Sequence, residues 1–130
     1  MVNVAKNSTP RIKIIQKLYS KVLNPDEKII YNKSQYKKFI KDVTEGTLER
    51  KELIEETVEK FLKDDIDLKR TDKLLKIILF AAVFELLFRH GTPRKVIISE
   101  YLLASEHFLE KIQIGYLNAI LDKIAKELRK

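Results

Sequence analysis

LLKIILFAAVFELLF, residues Leu74 to Phe88, is the stretch that decides how this chain folds. Thirteen of its fifteen residues are apolar, and only Lys76 and Glu85 interrupt it, so a helix drawn through it has no polar face. A helix that is apolar all round belongs inside something. A membrane span needs roughly 20 apolar residues without charges in mid-span. This run is shorter, and Arg89 and His90 follow it directly. The stretch therefore reads as the buried central helix of a soluble domain, with the helices before and after it packed against it.

The rest of the composition agrees with one helical domain. At 130 residues the chain is long enough to bury a core without staples. It has no cysteine, which rules out a disulfide framework and thiolate chemistry and suits a cytoplasmic protein. No apolar stretch of a secretory signal is visible at the N-terminus. Gly and Pro number three each, as expected for helices joined by short connections.

The net charge of +7 is unevenly placed. Residues 1 to 41 carry ten Lys or Arg against Asp26 and Glu27, a balance of 10 − 2 = +8. Residues 42 to 130 carry 16 basic and 17 acidic side chains, or −1. The whole surplus lies in the first third, and a localised basic surface of this kind faces phosphates or anionic lipid. The alternative is a cationic face that only aids solubility.

Residues 1 to 10 read as a flexible basic arm. Thr9 or Ser8 caps a first helix with Pro10 in its first turn, and Asn24 and Pro25 end it. Ile12, Ile15, Leu18, Tyr19 and Val22 recur on one side of it, while Lys13, Lys17 and Lys21 step by four along another. From about Gln35 to Leu62 a three-four spacing continues across Gly46, predicting one long helix. A break near Gly46 is the competing reading, since glycine costs roughly 1 kcal/mol against alanine in a helix unless it permits close packing. The acidic row Glu45, Glu49, Glu52, Glu56 and Glu59 reads as a solvated face. Asp72 is placed to favour the start of the central helix. Thr92 is a candidate cap with Pro93 at the first helical position of a fifth segment, and a sixth runs from about Ile112 to Leu128.

Catalytic chemistry is hard to find. His90 and His107 lie 17 apart without ligand spacing, and no nucleophile elbow or glycine-rich phosphate loop is present. Asp64, Asp65 and Asp67 lack the glycine and final glutamate of a calcium loop, so a polar turn explains them better than a metal. The pattern excludes no binding role but offers no catalytic residues, no metal site and no cofactor motif.

The second half carries a recognisable order of residues. Phe84-Glu85-Leu86 near the end of the buried helix is followed by Pro93, then by Val96, Ile98 and Glu100, and finally by Tyr116-Leu117-Asn118-Ala119-Ile120-Leu121-Asp122. Gln16 and Leu18-Tyr19-Ser20 on the first helix complete the pattern. Over about residues 10 to 128 the chain resembles the NusB family of bacterial transcription antitermination factors. The resemblance implies an all-α fold of about six to seven helices in two packed bundles, residues 11–63 and 70–130. It also implies binding to the boxA element of ribosomal RNA transcripts together with NusE, a ribosomal protein, within an RNA polymerase antitermination complex. Monomer and homodimer are both left open, and no membrane partner is implied.

The basic first third, read independently, agrees with an RNA partner. Lys6, Arg11, Lys13, Lys17 and Lys21 are the expected phosphate contacts. Phe108 and Tyr116 are candidates to stack on unpaired bases, and Tyr19 and Asn118 to hydrogen-bond them. Glu85 and Glu100 are the candidate NusE contacts, with the alternative that Glu85 merely satisfies a buried donor. The chain departs from the family pattern in having fewer arginines before the first helix, Phe80 where Arg is common, and Ser99 where Asn precedes the glutamate. Two other readings share the same residues: a helical protein-binding adaptor without RNA activity, and a stand-alone relative of the NusB-like domain of ribosomal RNA methyltransferases. The latter enzymes need a glycine-rich cofactor domain and a cysteine nucleophile, and this chain has neither.

Overall fold

The computed structural model describes residues 9–130. Those residues form six helices: α1 (Pro10–Leu23), α2 (Lys37–Glu49), α3 (Lys51–Leu62), α4 (Lys73–Phe88), α5 (Arg94–Ser105) and α6 (Lys111–Leu128). Lys6 lies outside the described residues. Among them no helix is long and apolar enough to cross a membrane.

The apolar stretch is α4, and every residue from Ile77 to Leu86 is buried. Its burial is accomplished by all five other helices, each of which packs directly on it. α1 also packs on α2 and α5, α3 on α6, and α5 on α6, but α1 and α6 do not touch. One continuous apolar core links every helix.

Local chemistry sets most helix ends. Thr9 Oγ1 accepts the Ile12 N–H at 3.4 Å with Pro10 opening α1, and Asp72 accepts the Leu75 N–H at 3.1 Å at the start of α4. α6 starts with a reciprocal capping box, in which the Glu110 N–H donates to Gln113 Oε1 at 2.9 Å. α5 begins one residue later than its sequence suggests, with Pro93 as the cap and Arg94 as the first helical residue. The Thr92 side chain does not cap it. The carbonyl end of α4 is capped from far along the chain: Arg129, just past α6, donates to the carbonyls of Leu86 at 2.9 Å, Arg89 at 3.1 Å and Thr92 at 2.7 Å. The Leu86 carbonyl is one that a helix C-terminus leaves without a partner, and the other two belong to the turn after it.

The single helix expected over about 35–62 is instead two. The break falls at Arg50, whose φ of −102° and ψ of 19° leave the helical basin while its N–H still bonds to the Gly46 carbonyl. α2 then packs on α1 and α4, whereas α3 turns to reach α6 as well. Arg50 places its guanidinium over the Phe88 ring, 5 Å in round terms and 4.9 Å to the centroid, at the end of α4. Gly46 stays inside α2, and α4 lies so close there that a Cβ would come within 2.2 Å of Phe84 Cζ.

Inside the contact of α1, α4 and α5 lies one ionic network. Arg11 donates to both oxygens of Glu85, at 3.1 and 2.8 Å, and the Tyr101 hydroxyl donates to Glu85 Oε2 at 2.5 Å. Glu85 and Tyr101 are fully buried. Glu100 stands at the rim, 3.9 Å from Arg11 and partly exposed. Burial alone would lower the Arg11 pKa, but the hydrogen bond and charge of Glu85 outweigh it and raise the value above the ordinary one. Burial, and then the Glu85 charge, push the Tyr101 phenol well up.

Two outcomes follow from this packing. Gly46→Ala gains about 1 kcal/mol of helix propensity but overpacks against an aromatic ring, which costs about 1 to 3 kcal/mol. Urea unfolding should show a net loss, relieved when Phe84→Leu is combined with it; a more stable Gly46→Ala protein would mean that the ring moves freely. Glu85→Ala leaves a buried guanidinium without its partner and should cost about 3 to 5 kcal/mol, whereas replacing Arg11 and Glu85 together by apolar residues of similar volume should restore much of the loss. Equal denaturation midpoints for the single and double replacements would contradict the network.

Candidate nucleic-acid interface

The lysines of α1 stand on the helix face turned from the core, at positions 13, 17 and 21, four residues apart. All three are half-buried, because the connector between α1 and α2, residues 24–36, folds back over them. Lys17 Nζ donates to the Ile30 carbonyl at 2.7 Å and lies 5.3 Å from the centroid of the Tyr31 ring. Lys21 Nζ donates to the Glu27 carbonyl at 2.7 Å. An ammonium has three donors, so each keeps two for another acceptor. Burial, and then the charge of Lys13, hold the Lys17 pKa below its ordinary value. Tyr31 ties the connector to α2 by donating to Glu45 at 2.6 Å, and burial followed by that carboxylate pushes its phenol pKa up.

Two expected contacts are not available at the surface. Arg11 belongs to the buried ionic network and is not part of a phosphate-binding arm, because its guanidinium is already held by both oxygens of Glu85. Glu85 is fully buried and cannot meet a partner, so the alternative reading, that it satisfies a buried donor, describes its position. Glu100 remains the one member of the pair with exposed side chain.

The aromatic candidates lie elsewhere. Tyr116 is 39% exposed near the start of α6, and its hydroxyl donates to the Asp65 carbonyl at 2.5 Å in the connector before α4. Lys123 binds the Asp65 carboxylate at 2.7 Å from the same helix. The Tyr116 pKa is raised first by burial and then by the Asp65 charge. Asn118 is exposed, while Phe108 and Tyr19 are half-buried and packed against the core. α1 and α6 do not pack on each other, and Tyr116 does not line the cleft that Lys13 and Lys17 share. The aspartates at 64, 65 and 67 serve the turn, with Asp67 accepting the Lys69 N–H at 3.0 Å.

Sequence reasoning missed Tyr101, Tyr31 and Arg129. Tyr101 was legible in principle, since Ile97, Tyr101 and Ala104 follow helical spacing on one buried side. Tyr31 acts on the Glu45 carboxylate 14 residues on and Arg129 on backbone carbonyls about 40 residues back, and neither leaves a local pattern.

With this geometry in place, comparison with known proteins is informative. The family model described as NusB family matches residues 2–126. The chain is similar to the transcription antitermination protein NusB of Nitrobacter hamburgensis, 34% identical over 91 residues that cover 70% of this chain and 57% of that protein. It is also similar to the protein of the same name from Rickettsia akari, 36% identical over 103 residues covering 79% and 64%. The matched part is thus less than two thirds of the length of either relative. Among solved structures it is similar to T. maritima NusB, with a TM-score of 0.80 and 23% identity over 93% of this chain and 91% of that one, which shows the shared all-helical fold. By a family match that spans nearly the whole sequence, this chain belongs to the NusB family.

Proposed function

We propose that this protein is a non-catalytic transcription antitermination factor of the cytoplasm that binds boxA-type single-stranded RNA of ribosomal transcripts together with NusE, within an RNA polymerase antitermination complex. The observation that carries the reading is the face of α1. Lys13, Lys17 and Lys21 form no ion pair with a carboxylate among the described residues, although the protein pairs other lysines, such as Lys38 with Asp42 and Lys126 with Asp122, along their own helices. Unpaired, regularly spaced ammoniums on a rigid helix are a backbone-tracking surface. Lys6 extends that surface in sequence.

Partner docking is assigned to the surface of residues 72–100. Glu85 is withdrawn from it, which leaves Glu100 and the exposed beginning of α4. There a groove of about 260 Å³ has an apolar floor that includes Leu18, Ile77 and Phe80, with Lys73 and Lys76 at its edge. Mixing the protein with NusE and labelled boxA RNA should give a ternary complex; no complex with either would refute the reading.

RNA contacts are separable by their salt dependence. Replacing Lys13, Lys17 and Lys21 by Gln should flatten the slope of log affinity against log salt by roughly 2, at about 0.7 per phosphate contact on a single strand. An unchanged slope in a folded triple variant removes the α1 surface from the interface. Tyr116 is proposed to stack on a base, so Tyr116→Ala should weaken binding by about 1 to 3 kcal/mol at every salt concentration with the slope retained. Tyr116→Phe keeps the ring and loses only the bond to Asp65, and should bind like the wild type. Equal loss in both variants would instead assign Tyr116 the role of holding the connector.

A further inference from the structure

Between α1, the connector and the beginning of α2 lies a cleft of about 140 Å³, whose polar lining includes Lys13, Gln16, Lys17, Asn32, Ser34 and Lys37, with Tyr31 and Ile40 completing it. Three ammoniums, two side-chain amides and a hydroxyl converge on it, and among the described residues no carboxylate lines it. None of its three lysines forms an ion pair with a carboxylate among those residues. Lysine is purely a donor, and amides and hydroxyls donate readily, so the cleft is built to be filled by an acceptor.

Its walls are held in place before any ligand arrives. Lys17 is fixed to the Ile30 carbonyl, Tyr31 to Glu45, and the Lys37 N–H to the Ser34 carbonyl at 3.2 Å. Lys37 is the first residue of α2, and Tyr36 before it provides no side-chain cap, so the positive end of that helix lies at the edge of the cleft. Burial and the neighbouring Lys13 make the charged form of Lys17 less favourable, a cost that an anion between them would relieve. At about 140 Å³ the cleft has room for a tetrahedral oxyanion.

We propose that this cleft is a phosphate pocket, in which Lys13, Lys17 and Lys37 supply the charge and Gln16, Asn32 and Ser34 the directional hydrogen bonds, and that it seats one phosphate of an RNA strand running along α1. The proposal rests on the RNA reading above for its ligand, but the pocket itself is testable without RNA. Lys21, also on the stripe, is outside the lining, so the strand has one seated phosphate and looser contacts beyond it.

The intact protein, labelled with nitrogen-15, is titrated with inorganic phosphate at constant ionic strength, with chloride as the reference anion. Saturable shifts are expected at the amides of Asn32, Ser34 and Lys37, lost in Lys37→Gln and kept in Lys28→Gln, an exposed lysine of the same connector that does not line the cleft. Shifts that fail to saturate, or that chloride reproduces, overturn the pocket whatever the RNA result. With a boxA-type RNA, Lys37→Gln should weaken binding roughly five- to tenfold and Lys28→Gln much less, since a contact to a seated charge is worth more than a screened one. Saturable phosphate binding with RNA affinity unchanged in Lys37→Gln overturns the seating of an RNA phosphate and assigns the cleft to free phosphate. Saturable phosphate binding by a wild-type protein that takes up no RNA supports the pocket and refutes the RNA function instead. Matching circular dichroism spectra of the two variants exclude unfolding as the cause.

Discussion

A helix with apolar side chains on every side has to be surrounded, and α4 imposes that requirement on the whole chain. From Ile77 to Leu86 every side chain is buried, and all five other helices are drawn against it. This is geometrically feasible because each surrounding helix needs to turn only one apolar stripe to the centre and can keep its charges outside. α2 meets α4 so closely that only Gly46 fits opposite Phe84. A single backbone residue, Arg50, turns the chain so that α3 covers a further part of the same helix.

Enclosing α4 this completely creates a problem at Glu85, the one carboxylate carried inside. An isolated buried charge is far costlier than a paired one. Arg11 from α1 and Tyr101 from α5 answer it together, with both carboxylate oxygens accepting hydrogen bonds. The network thereby ties three helices by groups with strict geometry, where apolar contacts alone tolerate sliding. Its consequence for function is indirect: the beginning of α1, just before the lysine face, is anchored to the centre of the molecule.

The lysine face itself is shaped by the connector. Lys17 and Lys21 bind its carbonyls, so the basic stripe is not a fringe of free side chains but one wall of a structured surface. Ammoniums that are partly ordered lose less entropy when they meet a phosphate. The aromatic Tyr116 is fixed instead to the connector before α4, through its bond to the Asp65 carbonyl.

From sequence alone the all-helical class, the buried centre, the caps at Thr9 and Asp72, the cationic side of α1 and the family resemblance were all legible. Each depends on residues a few positions apart, and helical periodicity and capping are local physics. What only the tertiary structure decided were the fates of charges and breaks. Arg11 and Lys13 look alike in sequence, yet one lies in the core beside a carboxylate 74 residues away and the other lines a cleft. Arg50, not Gly46, breaks the helix: Gly46 serves the close approach of Phe84 instead, and the chain turns where α3 can reach α6 as well as α4. Arg129 bonds the Leu86 carbonyl in the last turn of α4, 43 residues earlier. Burial and long-range partners give a charged side chain its role, and neither is encoded in its neighbours along the chain.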